Sequence, residues 1–412
     1  MEDYIVSIDI GTSKICVLVG RVDKTNYIEI LAKEIAANNG VKKGIIVDVD
    51  HTAEIIRSCL DRIESSKGIL INSAFVNIIG MHVSVINNTY SIRIDNPGHE
   101  ITKSDVEKLL YEVGNIQIPE GREIIDVIPR FYSIDGYDDI TDPVGMVGTN
   151  LQVHADIIIG RITSVKNIIK SVEKAGIKID GIVTEAYAEG QLLLTDDERE
   201  AGSILIDVGA GITDVSIFWN KMLIFYDSMP VGGDHITNDI SIGLKISYQE
   251  AEAIKRKYEL ALTSLINNDQ ELEVVDINQD HSKSIMVSDV VEIIEARVYE
   301  IFSLCRDIIE KAGLNTMNFS NVVLTGGGIS YVDGNKQIAE EVFGIPARVA
   351  VYKTSVSLKP ELYAAAGIIK YVSTYYKGNI AQLNQVVIKK QKSSMAKTSF
   401  FDKLLSWIKG LF

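Results

Sequence analysis

The feature that most constrains the fold of this chain is a strand, glycine turn, strand unit that occurs twice, each time led by an aspartate. The first copy reads DIGTSKICVLVG from Asp9, and the second reads DVGAGITDVSIF from Asp207, about 200 residues later. A turn without bulky side chains lets backbone N–H groups approach phosphate oxygens, and a carboxylate at a strand end can hold Mg²⁺ through water. Two such units facing one cleft would clamp a triphosphate.

A third glycine turn follows an apolar strand in LTGGGIS, at residues 324–330. This turn suits a backbone that passes against a flat base or an α-phosphate. Each of the three segments alone is most often an ordinary turn, so only their conjunction carries weight. No segment matches the GxxxxGK[ST] phosphate loop of the other large ATP-binding fold.

Composition excludes several classes of protein. With 412 residues, 46% hydrophobic and 24% charged, the chain is an ordinary globular protein of two or three domains or one large composite fold. A net charge of −15 argues against nucleic acid as a partner. Three dispersed cysteines and six histidines without ligand spacing predict neither disulfides nor a zinc site, so the chain is expected in the reduced cytosol. No signal peptide and no membrane-spanning run is seen, so any membrane contact is expected to be peripheral.

Hydrophobic periodicity predicts an alternation of strands and helices that is interrupted once. Residues 85–163 are expected to form an inserted α+β subdomain, with a hairpin that turns at Asn87 and Asn88, a helix from Thr102 and further strands. Residues 235–310 are mostly helical by period, apart from a polar stretch near 267–282. The other predicted elements are strands at Tyr4–Ile10, Lys14–Gly20, Ile28–Ile35 and Ala74–Gly80, and helices at His51–Ser66 and Ser164–Ala175.

In this order and spacing, the three glycine turns resemble the phosphate 1, phosphate 2 and adenosine motifs of the actin-like ATPases. TEAYAEG at 184–190 and YAAAG at 363–367 match the connecting helices of that group. Within the group, nearly the whole chain resembles the FtsA family of bacterial cell-division proteins, on DIGTSKI followed by VLVG, LTDDEREAG, PVGGDHITNDISIGL, AEAIKRKY and IIEARVYEIF. The chain has Ala186 where relatives have a proline. It also has Ala210 where actin has a second aspartate, so the resemblance implies nucleotide binding but not the hydrolytic detail of actin.

The resemblance implies an α/β, actin-like two-lobed ATPase fold of two RNase H-like domains, with an inserted 1C-type α+β subdomain and a C-terminal amphipathic helix. The implied divisions are subdomain IA at 1–84, 164–199 and 360–377, subdomain 1C at 85–163, subdomain IIA at 200–229 and 301–359, subdomain IIB at 230–300, a linker at 378–398 and a terminal helix at 399–412.

Site residues follow from the resemblance position by position. Asp9 and Asp207 would hold Mg²⁺ through water, and Glu185 would orient an attacking water if ATP is hydrolysed. The other expected ATP contacts are Gly11, Thr12, Ser13, Lys14, Gly209, Gly211 and Thr213 at the phosphates, Gly232 and Gly233 closing over the nucleotide, Glu252 and Lys255 at the ribose, and Gly326, Gly327 and Gly328 at the adenine. Alternatives stay open: Lys14 as an exposed strand-end lysine, Glu252 and Lys255 as a solvated ion pair, and Glu185 as a structural carboxylate.

The function that the resemblance implies is an ATP-binding scaffold that polymerises on the cytoplasmic face of the membrane at the division site. Such a scaffold tethers FtsZ to the membrane, recruits later division proteins through 1C, and is at most a slow ATPase. Two alternatives are a PilM-like pilus assembly scaffold and a small-molecule kinase of the same fold, which would need a catalytic carboxylate beside a sugar pocket.

Two further segments concern partners. The IIB segment is expected to dock the C-terminal tail of FtsZ, with Arg297 as a candidate contact, unless Arg297 only pairs with Glu295 or Glu300 on its own helix. Residues 399–412 are expected to lie on anionic lipid as an amphipathic helix, because six lysines stand against one aspartate over residues 389–412, although docking on the protein's own core is the alternative. Its apolar face comprises Phe400, Phe401, Leu404, Leu405, Trp407, Ile408, Leu411 and Phe412.

Overall fold

The computed structural model describes residues 4–95, 97–277, 282–352 and 358–375. The predicted linker and terminal amphipathic helix therefore lie outside the described residues. The strands are β1 (Ile5–Ile10), β2 (Lys14–Val22), β3 (Ile28–Ala37), β4 (Val41–Lys42), β5 (Ile45–Ile46), β6 (Ser73–Ile78), β7 (Val83–Arg93), β8 (Arg122–Ile134), β9 (Tyr137–Ile140), β10 (Asn150–Arg161), β11 (Lys178–Thr184), β12 (Ser203–Val208), β13 (Thr213–Trp219), β14 (Met222–Met229), β15 (Glu271–Val275), β16 (Ser282–Met286), β17 (Asn321–Thr325) and β18 (Ala347–Val349). The α-helices are α1 (Val49–Lys67), α2 (Lys103–Gly114), α3 (Ile162–Lys174), α4 (Glu185–Leu193), α5 (Asp196–Ala201), α6 (Gly233–Leu244), α7 (Tyr248–Tyr258), α8 (Val287–Lys311), α9 (Asn335–Phe343) and α10 (Tyr363–Tyr375).

Two five-stranded sheets share one topology. Their strand orders are β11-β6-β1-β2-β3 and β18-β17-β12-β13-β14, each an antiparallel meander with two parallel strands added beside its first strand. The register repeats as well, since Asp9 lies opposite Cys16 and Asp207 lies opposite Asp214. The predicted two-lobed actin-like fold is therefore confirmed.

Local sequence explains why these elements form. All six residues of β1 are buried, as expected for a central strand that is covered on both faces. Helix α1 begins where the Asp48 side chain accepts the His51 N–H, and it ends at Gly68, whose φ of 68° is left-handed. Helices α1 and α3 pack together over the first sheet, while α4 and α10 pack together over it as a second pair.

Helix α4 lies at the boundary between the lobes. A Cβ on Gly367 of α10 would come within 2.5 Å of the Ala188 carbonyl oxygen, so the absence of a side chain lets α10 cross close to α4. On another side of α4, a Cβ on Gly190 would lie 2.3 Å from the ring of Phe218 in the second lobe. Glu185 and Glu189 of the same helix line the interlobe cleft. Helix α4 therefore both packs against the second lobe and carries two carboxylates of the cleft.

The inserted subdomain is an antiparallel sheet, in the order β7-β10-β8-β9, with α2 packed against it. The predicted hairpin turn at Asn87 and Asn88 is wrong, because β7 runs straight through both residues. Their amides have tertiary partners instead: Asn87 Nδ2 donates to Asp156 Oδ1 (2.5 Å), and Asn88 Nδ2 donates to the Val113 carbonyl (2.9 Å).

A buried polar junction joins the insertion to both lobes. The register of β8 against β10 shifts between His154 and Ala155, and Arg130 is left out of the pairing there. Its guanidinium pairs with Asp156 and donates to the Leu223 carbonyl of the second lobe (2.8 Å). Asp156 also accepts the hydroxyl of Tyr187, which belongs to α4.

The second lobe carries a helical subdomain made of α6, α7, the hairpin β15–β16 and the first half of α8. Strand β15 falls in the polar stretch near 267–282, where the sequence pattern departs from helix, and β16 begins where that stretch ends. Val290, Ile294, Val298 and Ile301 recur at helical spacing on α8 and are fully buried. Among the described helices, none combines the length and the apolarity needed to cross a bilayer.

Candidate nucleotide-binding site

The two repeated glycine turns have the same geometry. Gly11 N–H donates to the Lys14 carbonyl (2.9 Å), and Gly209 N–H donates to the Ile212 carbonyl (2.8 Å). The turns line one interlobe cavity of about 880 Å³, a volume typical of sites for small-molecule ligands. They also contact each other, because a Cβ on Gly211 would lie 2.9 Å from Thr12 Cγ2.

The third glycine turn packs against the second. Gly326 has a φ of 93°, and a Cβ there would lie 2.0 Å from Asp207 Oδ1, so a side chain at this position would displace the carboxylate. A Cβ on Gly232 would lie 2.5 Å from the Gly209 carbonyl oxygen. Gly327 differs, because its nearest neighbour would be Glu361 Cγ at 3.3 Å and it lines the cavity. Gly327 is therefore the glycine of this turn at which a larger side chain has the most space.

Five carboxylates converge at the inner end of the cavity: Asp9, Glu185, Glu189, Asp207 and Asp214. Burial, and next the neighbouring Asp214, raise the pKa of Asp207 to about 7. Burial also raises the pKa of Asp214 to about 6, against a hydrogen bond from Ser228. The pKa values of Glu185 and Glu189 lie well above their ordinary range, because both are buried and face the other acids.

This cluster fits a divalent cation. Ligand atoms of Glu185, Asp207 and Asp214 lie within 4.8 Å of one another. Asp207 Oδ1 is buried and has no hydrogen-bond partner among the described residues, although a buried polar atom normally has one. Carboxylate oxygens are the ligands that Mg²⁺ prefers. The residues present therefore match the expected Mg²⁺, with Asp214 as a member that the sequence reasoning missed.

Asn77 is a second residue that the sequence reasoning missed. Its Nδ2 donates to Asp9 Oδ1 (3.0 Å) and to Glu185 Oε1 (2.5 Å), and its Oδ1 accepts the Ile10 N–H (2.7 Å). The amide is thus fixed in orientation and positions two carboxylates at once. No local motif marks Asn77, whereas Asp214 could have been found from the hairpin register, which places it opposite Asp207.

Lys14 lies at the cleft wall and is partly buried. Its ammonium donates to the Glu361 carbonyl, and its charge lowers the pKa of both Asp9 and Asp207, against the larger effect of burial. This position places one cation between the phosphate turns and the carboxylates, which suits a phosphate contact better than the alternative of an exposed strand-end lysine.

At the outer end of the cavity, Glu252 and Lys255 form a salt bridge (2.6 Å). Lys255 Nζ also donates to Thr237 Oγ1 (2.6 Å) and to the Gly233 carbonyl (3.1 Å). Burial acts to raise the pKa of Glu252, but hydrogen bonds from Lys255 and Thr237 outweigh it, and the pKa is lowered. The pair is therefore held in a network at the cavity wall and differs from a freely solvated ion pair.

Most of the expected site residues meet at this cavity, and two do not. Thr213 is buried and its hydroxyl donates to the Val231 carbonyl (2.8 Å), and Gly232 packs behind the second glycine turn. The expected residues that line the cavity are Asp9, Gly11, Thr12, Ser13, Lys14, Glu185, Asp207, Gly209, Gly211, Gly233, Glu252, Lys255, Gly326, Gly327 and Gly328.

We expect added Mg²⁺ to raise the thermal unfolding midpoint more at about pH 8 than at about pH 5.5. The pKa of Asp207 is about 7 and that of Asp214 about 6, and both lie above the ordinary 3.8. Between pH 3.8 and about 7, the folded state therefore binds more protons than the unfolded state. Without a cation, the free energy of unfolding therefore falls as pH rises through that window. Bound Mg²⁺ restores this lost stability only at pH values at which the carboxylates are charged.

Calorimetric unfolding at both pH values, with and without Mg²⁺, measures this difference. The Asp207→Asn variant serves as the control and should show a smaller Mg²⁺ shift at the higher pH. An equal shift at both pH values would contradict the assignment of the cluster.

Comparison with known proteins adds independent findings. Residues 204–367 match the family model "Cell division protein FtsA", and residues 80–159 match "SHS2 domain inserted in FTSA". The cell division protein FtsA of Pseudomonas aeruginosa is 30% identical over 413 residues, covering 99% of this chain and 98% of that protein. FtsA of Bacillus subtilis is 32% identical over 370 residues, covering 90% and 83% respectively. Among solved structures, MreB 5 of Spiroplasma citri bound to AMPPNP has a TM-score of 0.55 at 14% identity, covering 93% of this chain and 99% of that one.

Proposed function

Because the chain belongs to the FtsA family of cell-division proteins, it is an actin-like scaffold of the division machinery, and we propose that it binds ATP with Mg²⁺ between its lobes. The observation that carries this proposal is the pair of glycine turns that share one hydrogen-bond geometry and face one carboxylate-lined cavity. Backbone N–H groups of both turns and Lys14 would contact the phosphates, and Asp207, Asp214 and Glu185 would hold the cation through water or directly. When bound, Mg²⁺ supplies positive charge that offsets both the carboxylates and the phosphates.

ATP in this site would act mainly as an assembly ligand. Its phosphates would bridge turns that belong to different lobes, so a bound nucleotide stabilises the closed arrangement of the two lobes. Turnover is expected to be slow or negligible, since Ala210 replaces an aspartate of actin. The closed form would then be the form that polymerises.

We propose that the helical subdomain docks the C-terminal tail of FtsZ. A groove of about 360 Å³ lies between α6 and α8, and its apolar wall includes Ile293 and Ile242, which is 66% exposed. Arg297 lies in this groove and pairs with Asp239 and with Glu300 (2.7 Å). FtsZ tails carry both acidic and apolar residues, so a peptide carboxylate would compete for Arg297 while its apolar side chains cover the isoleucines.

We expect the Arg297→Glu substitution to weaken binding of an FtsZ tail peptide by at least tenfold. The change removes the cation of the groove and adds a third acid beside Asp239 and Glu300, so a peptide carboxylate meets repulsion instead of attraction. Fluorescence anisotropy with a labelled tail peptide measures the affinity. The Lys311→Glu variant makes the same charge change at the far end of α8 and should bind within twofold of the parent. Unchanged binding by the Arg297 variant would remove this residue from the interface.

The inserted subdomain is proposed to recruit later division proteins. Its exposed apolar side chains include Tyr137 of β9 and Val147 in the segment before β10, which are 78% and 67% accessible. These two side chains are candidate contacts for such a partner.

Residues 399–412 are proposed to anchor the scaffold to the cytoplasmic face of the membrane. Fourteen residues are too few to span a bilayer and too few to remain helical alone in water, so the apolar face must be buried against lipid or protein. Lysines near an anionic surface contribute about 1 kcal/mol each, which favours lipid. The preceding residues 378–398 would give a root-mean-square reach of roughly 25 Å as a flexible linker.

The scaffold function is tested by co-sedimentation of FtsZ with anionic liposomes. We expect FtsZ to pellet with lipid only when this protein is present, and to stay in the supernatant when the protein lacks residues 399–412. The pilus-scaffold and sugar-kinase alternatives predict no FtsZ in the pellet, and the kinase predicts transfer of phosphate to a sugar.

A further inference from the structure

A second, smaller cavity of about 70 Å³ lies behind the first glycine turn. Ile10, Gly44 and Ile79 belong both to its wall and to the wall of the nucleotide cavity, so the two spaces are neighbours separated by a thin layer. The cavity is large enough for several waters or one small ion. No acidic side chain lines it among the described residues, although the neighbouring nucleotide cavity has five carboxylates.

Hydrogen-bond donors line the outer end of this small cavity. Thr163, Ser164 and Asn167 contribute to its wall, and all three lie in the first two turns of α3. Helix α3 has thirteen residues, and Arg161, which precedes it at the N-cap position, forms no side-chain cap. The N–H groups of an uncapped first turn have no intrahelical acceptors, and the helix dipole adds partial positive charge there. The Ile162 N–H donates to the Gly121 carbonyl (3.0 Å) outside the helix, so the N–H groups that could face a ligand are those of Thr163 and Ser164.

His82 forms the inner end of the cavity. It is 3% exposed, and its Nε2 lies 3.2 Å from the Gly44 carbonyl oxygen. A carbonyl oxygen can only accept, so Nε2 carries the proton and Nδ1 of the neutral ring is an acceptor. Nδ1 is buried and has no hydrogen-bond partner among the described residues. A ligand that can donate a hydrogen bond at this end would therefore satisfy an otherwise unpaired group.

Two arginines make the surroundings of His82 positive. After burial and the bond to Gly44, the groups that act on the pKa of His82 are Arg161 and Arg122, and both lower it. Arg122 also donates to the His82 carbonyl (3.4 Å). In a chain with a net charge of −15, an acid-free cavity beside two arginines and a helix N-terminus favours an anion.

We propose that this cavity binds one hydrogen phosphate ion. Its P–OH group would donate to His82 Nδ1, and its other oxygens would accept from the backbone N–H groups and the hydroxyls of Thr163 and Ser164. Phosphate carries both a donor and acceptors, whereas sulfate at neutral pH has acceptors only and would leave Nδ1 unpaired. This inference goes beyond the proposed function, since it needs neither ATP nor FtsZ.

The test is a titration of the full-length protein with inorganic phosphate at about pH 7.5, followed by NMR of labelled histidine rings. The chain has six histidines, and comparison with the His82→Gln variant assigns the His82 signals. We expect a saturable shift of the His82 ring signals with phosphate and a response at least tenfold weaker with sulfate at equal ionic strength. The Ser164→Glu variant introduces an acid at the helix N-terminus, where a negative charge is favourable for the helix. It should weaken phosphate binding at least tenfold.

Two controls make the result decisive. Lys170→Gln, further along α3, changes the net charge by the same amount as Ser164→Glu and should leave phosphate binding within twofold. Asp207→Ala, which disables the nucleotide site, should also leave the His82 response intact. The proposal is overturned if phosphate gives no saturable shift, if sulfate acts equally well, if Ser164→Glu binds like the parent, or if the response disappears in Asp207→Ala.

Discussion

The Asp207→Ala substitution is expected to weaken Mg²⁺-dependent ATP binding by roughly 30- to 1,000-fold, and so nearly to abolish it. Asp207 carries the buried carboxylate oxygen that has no hydrogen-bond partner among the described residues, and it lies with Asp214 and Glu185 in the one cluster of described acids whose spacing fits a cation. Loss of a charged ligand from a buried site costs about 2 to 4 kcal/mol, which corresponds to that range of affinity. Isothermal titration calorimetry with ATP and Mg²⁺ measures it directly.

The Asp207→Ala variant should remain folded, because removing one of several buried acids relieves repulsion in the absence of metal. Asp197→Ala is the matched control: it removes the same charge from an exposed position on α5 and should bind ATP like the parent. Gly327→Val tests the opposite wall, since a side chain there points towards Glu361 and into the cavity. Parental ATP binding by both the Asp207 and the Gly327 variants would show that the cleft is not the nucleotide site.

The double substitution of Trp407 and Ile408 by Glu is expected to release the protein from anionic liposomes while leaving ATP binding unchanged. Each of these side chains contributes roughly 1.5 to 3 kcal/mol when its apolar surface leaves water, so the pair is expected to change the partition constant roughly 10²- to 10⁴-fold. The introduced charges add to this loss, because they would lie at the lipid surface instead of in water. Liposome co-sedimentation measures the bound fraction.

A matched control adds the same two charges to the opposite face of the predicted helix. Replacing Ser406 and Gly410 by Glu changes the net charge equally but keeps the apolar face, so only about 1 kcal/mol per charge of electrostatic attraction is lost. This control should still sediment with lipid at low ionic strength. Continued sedimentation of the Trp407 and Ile408 variant would instead contradict the proposal that residues 399–412 anchor the protein to lipid. Equal release of both variants would show that charge alone, and not the apolar face, governs lipid binding.

The sequence by itself determined the parts of this protein that depend on local pattern. The two hairpins that start at Asp9 and Asp207 indicate that the lobe is repeated, because turn chemistry and strand alternation act within about twelve residues. The helical spacing that brings Glu252 and Lys255 to one side of α7 is also a local pattern, and so is the triple glycine at 326–328. Residues 85–163 also departed visibly from the surrounding alternation.

Only the tertiary structure decided which groups from distant segments meet. Asn77 links Asp9 to Glu185 across more than a hundred residues, and nothing near Asn77 in the chain indicates that role. Asn87 and Asn88 have the composition of a turn, yet their amides find partners at Asp156 and in α2, so the strand continues through them. Long-range hydrogen bonds of this kind outweigh local preference because a buried polar group without a partner costs more than a propensity of a few tenths of a kcal/mol. The raised pKa values of the carboxylate cluster have the same origin, since burial and charge are properties of the assembled cleft and of no single segment.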